Sequence, residues 1–337
     1  MVNFAIIGTG VIAQQHVLGI RGTASAELVA VCDTSKERAT AFASEHKIKK
    51  VYTDYHVLLA DPGIDAVCIC TPSGTHGQIC MDAAKAGKHI LCEKPIETKK
   101  EKLDALVAAV EAHDVKMACV FQRRYEAVPM QVKAALDSGE FGKVLMASAY
   151  LKYYRSQDYY KSSAWRATWE FDGGGCLMNQ GIHGVDLISW LMGGVKKVSA
   201  MTRTLHHQIE VEDAAVAAVE YCNGAIGVIE GSTCAQPAQQ SRFEIYCENG
   251  SIIFSDAGIL QWHINGEDVP FTMVEHTSAN DDPTKVLQNN HGILIAELVH
   301  AIKTDTQPAI GPREARKAVD TILAIYRSSR EGKEIEV

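Results

Sequence analysis

The apolar run Val2-Asn3-Phe4-Ala5-Ile6-Ile7 opens directly into Gly8-Thr9-Gly10-Val11-Ile12-Ala13. No other feature restricts the fold so tightly. The pattern is G-x-G-x-x-A between a strand and a helix. Gly8 permits the tight turn, Gly10 lets a pyrophosphate approach the backbone, and Ala13 lets the helix close on the strand. The free N–H groups of the first turn, at Val11 and Ile12, then face the anion. Asp33 ends a second apolar strand, Glu27 to Cys32, twenty residues past Ala13. An acid there suits the two hydroxyls of a ribose. The competing reading is a plain glycine turn with a surface aspartate.

The next hundred residues repeat the unit. Strands are expected at Val51-Tyr52, Asp65 to Cys70, Lys88 to Cys92 and Lys116 to Val120. Helices are expected over Val11 to Ile20, Ser35 to His46, Gly74 to Ala86 and Thr98 to His113, with Ser35 and Thr98 as caps. Such alternation predicts a parallel sheet covered on both faces. Beyond residue 121 the period changes. Helices over Val128 to Ser138 and Cys176 to Leu191 flank a long strand, Val144 to Tyr154. Strands then follow at Val198 to Leu205, Ala214 to Tyr221, Ala225 to Ser232, Arg242 to Cys247 and Ser251 to Phe254. Helices over Asn289 to Lys303 and Pro312 to Arg330 close the chain, the last with Ala315, Ala318, Val319, Ile322, Leu323 and Tyr326 on one stripe. The expected architecture is an α/β Rossmann domain, 1–121, followed by an α+β domain, 122–337, with a large, mostly antiparallel open sheet. The helix 312–330 is a candidate for packing back on the first domain.

Composition excludes several classes. The chain has 337 residues, 47% hydrophobic and 22% charged, as expected of a soluble globular protein of two domains. Its net charge of −8 argues against a nucleic-acid partner or an anionic membrane surface. No apolar window of about 18 residues predicts a membrane span. The ten cysteines include no C-x-x-C pair, and Cys68 and Cys70 point to opposite faces of one strand. Free thiols, no metal site and a cytoplasmic location are expected.

Three further places carry chemistry. Thr71-Pro72-Ser73 and Glu93-Lys94-Pro95 both follow parallel strands, at the end where cofactors bind. Lys94 is an acid/base candidate if partly desolvated, and an ordinary surface lysine otherwise. Asp172-Gly173-Gly174-Gly175 precedes a helix on which Asn179, His183 and Asp186 fall near one face. The glycines are expected to expose N–H groups to a ligand, and the stripe is either an active site or a set of satisfied buried groups. Gln122-Arg123-Arg124 lies where a chain leaving the first domain reaches a cofactor edge or a substrate, or forms a hinge. Trp165-Arg166 and the aromatic stretch Tyr153 to Tyr160, with Tyr154, suit a sugar surface or a subunit interface. His206-His207 is read as a solvated loop pair, and His16 as a helix residue without a catalytic role.

Taken in order, these residues resemble the glucose–fructose oxidoreductase, inositol dehydrogenase and rhizopine-catabolism family (Gfo/Idh/MocA). The likeness rests on Gly8 to Ala13, Thr71-Pro72 with His76, Glu93-Lys94-Pro95, and the glycine-rich helix ending in His183-x-x-Asp186. It implies NAD or NADP, a sugar or polyol substrate, and Lys94 and His183 around the reacting carbinol. By the same resemblance Thr71, Pro72, His76, Glu93, Lys94 and Gln122 join the glycine turn and Asp33 at the cofactor. Lys94, Arg124, Tyr154, Trp165, Arg166, Asn179 and His183 line the substrate. One departure is Asn179, where many members carry Asp. An amide stabilises an imidazolium less than a carboxylate does, so His183 is expected to protonate less readily. The wording Asn-Gln-Gly-Ile-His is closer to the nucleotide-sugar and glycoside 3-dehydrogenase branch than to inositol dehydrogenases.

The expected activity is hydride transfer between a ring secondary alcohol of a sugar, sugar derivative or polyol and a nicotinamide. NAD is preferred to NADP, since Asp33 repels a 2′-phosphate, with Lys36 and Arg38 acting against that preference. The alternatives are a non-catalytic cofactor-binding sensor or scaffold, and an enzyme that reduces a double bond or imine. An open apolar sheet face predicts a homodimer or homotetramer.

Overall fold

The computed structural model describes residues 1–270 and 290–337. By contact the described chain divides into two units. One holds Met1–Gln122 and the segment that ends at Arg316. The other begins at Arg123 and takes in Lys317–Val337.

The first unit opens with β1 (Val2–Ile7), α1 (Ala13–Gly22), β2 (Ala26–Cys32), α2 (Lys36–Glu45), β3 (Lys50–Tyr52) and α3 (Tyr55–Leu59). It continues with β4 (Ala66–Ile69), α4 (His76–Lys85), β5 (His89–Cys92), α5 (Lys100–Ala112) and β6 (Met117–Cys119). The strands pair in parallel in the order β3-β2-β1-β4-β5-β6. The order reverses between β1 and β4, the switch point where doubly wound sheets bind nucleotides. β1 and β4 are buried along nearly their whole length because helices cover both faces. Ser35 caps α2 through Arg38 N, as its position suggests. Thr98 does not cap α5. The buried Glu97 carboxylate takes the N–H groups of Thr98 and Lys99 instead.

The second unit starts with α6 (Ala127–Asp137), β7 (Val144–Lys152) and α7 (Gln157–Lys161). A π-helical turn, Cys176–Gly181, leads into α8 (Ile182–Leu191). Then come β8 (Val195–Arg203), β9 (Ala214–Tyr221), β10 (Ile226–Ser232), β11 (Arg242–Cys247), β12 (Gly250–Ser255), β13 (Gly258–Ile264) and β14 (Glu267–Asp268). The chain ends with α9 (His291–Thr304), α10 (Pro312–Glu331) and β15 (Ile335–Glu336). The nine strands run β14-β13-β12-β11-β7-β10-β9-β8-β15. Among the described residues of this sheet, only β7 and β10 pair in parallel. One sheet face is covered by α8 and the π-helical turn, which pack on β7, β9 and β10. The other presents Tyr246, Met146 and Ile226 in one row and Val216 and Met201 in another, and these side chains are 40–69% exposed.

Three expectations change. Cys176 to Leu191 is not one α-helix but a π turn followed by α8. The short elements α3, α7, β14 and β15 lacked a pattern long enough to read, and the seven-residue β13 was missed. The continuous segment 122–337 is interrupted: α9 packs on α1, β5 and β6 and belongs with the first unit. Its apolar stripe, Leu294, Ile295, Leu298 and Val299, is the cause, since it is buried there. Asn289, expected to open that helix, lies outside the described residues. The last helix splits between the units after Arg316. Its first turn pairs with α5 through Arg313–Glu111 and Arg316–Asp104. Its later residues Ser328 and Ser329 bond the β8 backbone at Ala200 and Thr202. Leu323 is half-buried while the rest of its stripe is buried.

Candidate active site

In the first unit, Gly8 sits at φ +94, and a Cβ there would meet Cys70 O of the neighbouring strand end at 2.6 Å. Only glycine allows that turn. Gly10 differs: an added Cβ would meet nothing within 4 Å. Ile12 opens α1 with no side-chain cap, Val11 is 67% exposed, and Ala13 is fully buried. The result is an uncapped helix start under open space, which matches what a pyrophosphate needs.

Asp33 is held at the tip of β2. Its Oδ2 accepts from Thr9 N at 3.1 Å and Thr9 Oγ1 at 2.8 Å, and its Oδ1 from Ser35 N at 2.9 Å and Arg38 at 2.6 Å. Burial works against its charge, but the hydrogen bonds of Arg38, Ser35 and Thr9 outweigh it and hold the carboxyl below its usual range. The group is ionised at neutral pH, as a ribose-binding acid must be. Gln122 adds a buried Oε1 with no hydrogen-bond partner among the described residues. Such an orphaned acceptor suits a ligand that brings an N–H. These residues fit a nicotinamide dinucleotide.

The strand-end loops hold surprises. His76 is buried, with Nδ1 at 2.7 Å from Pro95 O and Nε2 at 2.7 Å from Thr71 O. Both ring nitrogens are occupied by protein carbonyls, so the ring ties the Thr71-Pro72 turn to the Lys94-Pro95 loop. Thr71 Oγ1 is itself bonded to Thr75 Oγ1 at 2.7 Å. The Glu93 carboxylate lies 2.9 Å from His16 Nε2 and 3.1 Å from His291 Nε2, both at Oε1. Three buried side chains therefore meet where the sequence suggested an acid facing the cofactor. Lys94 follows directly, half-buried at the end of β5.

In the second unit, the triple glycine does not present N–H groups to a ligand. Glu212 fills that place. Its Oε2 accepts from Gly175 N and its Oε1 from Leu177 N, each at 2.9 Å, and Tyr326 Oη donates to Oε1 at 2.7 Å. Burial pushes the Glu212 carboxyl up, and these three donors act against that rise. A Cβ on Gly174 would strike Tyr326 Oη, and one on Gly175 would strike Glu212 O. The glycines are small so that an internal carboxylate and a phenol can approach. Bonds from the N–H groups of Asn179 and Gln180 back to Gly175 O make the wide turn.

That turn aims a polar set. Asn179 Nδ2 donates to Asp172 and Asn179 Oδ1 accepts from Gln180. Gln180 also donates to Tyr159 Oη at 2.8 Å and accepts from Arg155 Nε at 2.9 Å. The Arg166 guanidinium lies 4.4 Å over the Tyr159 ring and 5.1 Å from the Trp165 ring, and donates to Tyr159 Oη. Asn179 thus carries the Asp172 carboxylate behind it, and His183, half-buried, stands one turn further on. Arg124, expected at the substrate, grips Asp186, Nε to Oδ2 at 2.8 Å and Nη2 to Oδ1 at 2.6 Å. Both are buried, so each neutralises the other. Tyr154 is half-buried and makes an isolated backbone bridge to Cys234. His207, read as solvated, is buried against Asp213 at 3.1 Å. The backbone N–H groups of Leu205, His206 and His207 all converge on that carboxylate and draw the ring in. His291 and Glu212 were missed altogether, and Tyr326 was read only as part of an apolar stripe. The adjacent acids Glu212-Asp213, set between Val211 and an apolar strand, are the one signal that hinted at them.

A parallel nucleotide-type sheet with an acid-tipped second strand, followed by an open antiparallel sheet, defines a two-unit nicotinamide oxidoreductase. The chain belongs to the Gfo/Idh/MocA family: residues 2–121 match its oxidoreductase domain with NAD-binding Rossmann fold, and residues 130–253 its C-terminal domain. It is an oxidoreductase whose cofactor is NAD. Among curated relatives it is 32% identical to scyllo-inositol 2-dehydrogenase (NAD(+)) of Bacillus subtilis, over 74% of this chain and 73% of that one. It is 31% identical to the uncharacterized oxidoreductase YrbE of the same species, over 73% and 71%. Among solved structures, the WlbA dehydrogenase of Bordetella pertussis in complex with NADH and UDP-GlcNAcA superposes with a TM-score of 0.89. That match covers 100% of this chain and 98% of that one at 31% identity.

Proposed function

We propose that this chain oxidises a ring secondary alcohol of a sugar, sugar derivative or polyol, with NAD rather than NADP. The observation that carries the reading is the π-helical turn. It fixes Asn179 against Asp172 and presents His183 a turn later, in a setting of hydrogen-bonding groups suited to hydroxyls. Similarity to an inositol dehydrogenase and to a dehydrogenase crystallised with a nucleotide sugar acid supports the substrate class.

Bound NAD supplies the hydride acceptor. Gly8, Gly10, Val11, Ile12, Ala13 and Asp33 hold the dinucleotide, with Thr71, Pro72 and Gln122 beside it. His183 takes the hydroxyl proton, and Lys94 hydrogen-bonds the developing alkoxide. Asn179, polarised by Asp172, orients the imidazole, so the carboxylate that many relatives carry next to this histidine acts here at one remove. Arg155, Gln180, Tyr159, Trp165 and Arg166 bind the remainder of the substrate.

The test is absorbance at 340 nm with NAD and a panel of inositols, hexoses, glycosides and UDP-sugar acids. On the best substrate, His183→Ala and Lys94→Ala each lower kcat by roughly 10²–10⁴ while NADH still binds. Wild-type turnover in both variants would remove this assignment. The exposed rows of Met146, Ile226, Tyr246, Val216 and Met201 are covered by a second copy in a homodimer or homotetramer. A monomeric mass by light scattering at micromolar concentration would contradict that. All ten cysteines are unpaired, which supports a reducing, cytoplasmic setting.

A further inference from the structure

Three residues far apart in sequence meet in the first unit. His16 lies in the middle of α1, Glu93 directly follows β5, and His291 opens α9; their exposures are 0%, 6% and 2%. The two imidazoles meet edge to face, with centroids 4.9 Å apart. Both place Nε2 on a single oxygen of Glu93. One carboxylate oxygen has two lone pairs, so it satisfies both rings only if each carries its proton on Nε2. Neither Nδ1 has a hydrogen-bond partner among the described residues. A second proton on either ring would add a buried charge and an orphaned donor. Each ring therefore donates from Nε2 to the one carboxylate oxygen. Burial, the larger influence on His16, holds that ring neutral, and the two hydrogen bonds keep Glu93 ionised despite its own burial. The other titratable groups its charge reaches are the buried thiols Cys68, Cys70 and Cys92, which burial keeps protonated, and His76, whose pKa burial lowers against the pull of its two carbonyl partners.

The same atoms are a conceivable donor set for a divalent cation. Two facts count against it. Separations of 2.9 and 3.1 Å are hydrogen-bond lengths, shorter than the roughly 3.3 Å between ligands placed at about 2.0 Å around a tetrahedral ion. Ligating histidines also direct the outer ring nitrogen to a partner, and these have none among the described residues.

The second oxygen of Glu93 accepts the backbone N–H of Lys94 at 3.3 Å. One hydrogen-bonded node thus joins the helix opened by the glycine turn, α9, and the peptide that launches Lys94. We infer that Glu93, clamped by His16 and His291, is a positioning residue for Lys94, setting where its side chain starts. This rests on the role given to Lys94 above.

Glu93→Gln keeps an acceptor oxygen and removes the charge. Turnover on the best panel substrate is expected to fall about 10²-fold, the scale of a misplaced catalytic group. NADH affinity, followed by fluorescence, stays within about threefold, a change well short of a lost charged hydrogen bond. His16→Ala lowers turnover similarly, and His16→Gln, which restores an N–H donor, recovers most of it. The double variant Glu93→Gln/Lys94→Ala is no slower than Lys94→Ala alone, since Glu93 acts through the lysine.

The outcomes separate cleanly. Lys94→Ala at wild-type turnover removes the lysine role and this inference with it. A slow Lys94→Ala beside a Glu93→Gln that loses only thermal stability overturns the inference alone. Loss of NADH binding in Glu93→Gln makes Glu93 a cofactor ligand instead. One equivalent of zinc in the purified protein, absent from His16→Ala, makes the cluster a metal site.

Discussion

Two glycine-rich turns precede helices here, and in sequence they invite one reading: exposed N–H groups waiting for an anion. At Gly8–Ala13 the helix start is uncapped and the space over Gly10 is open. At Gly173–Gly175 the place of the anion is already taken. Glu212 accepts two of the N–H groups, and Tyr326 and the Glu212 backbone occupy the room that side chains on Gly174 and Gly175 would need. The first turn is built for a ligand that comes and goes. The second is built around a permanent internal carboxylate, and its product is the pose of Asn179 and His183. A glycine run before a helix therefore shows close approach, but not by what.

The contrast is broken most severely at Gly175. Gly175→Ala drives a Cβ into the Glu212 carbonyl, a backbone atom that cannot step aside, and is expected to cost about 3 kcal/mol or more. Chemical denaturation measures it; a change under about 1 kcal/mol would mean that the turn is plastic. Next is Glu212→Gln. Its amide nitrogen must face either the N–H of Gly175 or that of Leu177, which leaves a buried donor unpaired at a cost of about 1–3 kcal/mol. Turnover should fall while NADH affinity holds. If both survive, the carboxylate is not what shapes the turn.

Legibility in the sequence follows the range of each interaction. The first turn was readable because β1, the glycines and α1 are contiguous and each residue type answers a local backbone demand. Asp33 was readable because its register on β2 is set by the same repeat. The partners of the second turn lie 37 and 114 residues away from the groups they bind. His16 and His291 lie 77 and 198 residues from Glu93. No local pattern marks such pairs; only the fold brings them together. The bond of Arg124 to Asp186 was illegible for the same reason: a buried arginine needs an acid, and this one lies 62 residues on.

A smaller effect is expected at Asp33. In Asp33→Ala, Thr9, Ser35 and Arg38 lose their shared acceptor along with the ribose. NAD affinity should fall about tenfold or somewhat more, the scale of a charged hydrogen bond, whereas NADP affinity holds or rises because Arg38 is released. Parallel titrations with NADH and NADPH measure the gap. An unchanged ratio would detach Asp33 from cofactor choice and leave it as a brace for Thr9.

The smallest effect is the sharpest test of the comparison. Gly10→Ala adds a methyl group where no protein atom lies within 4 Å, at a position that is not among the positive-φ residues. The cofactor-free protein should therefore keep its stability to within about 0.5 kcal/mol, as for a surface change that touches nothing. The same methyl projects into the space over the uncapped start of α1, so NADH affinity should drop roughly tenfold or more through lost close approach to the pyrophosphate. A stable variant with weakened NADH binding is the signature of a glycine kept for a ligand. Gly175→Ala gives the opposite signature, an unstable protein whose remaining folded fraction still binds NADH. If Gly10→Ala were instead destabilised by more than about 1.5 kcal/mol, Gly10 would be a packing glycine like Gly175, and the two turns would differ in degree rather than in purpose.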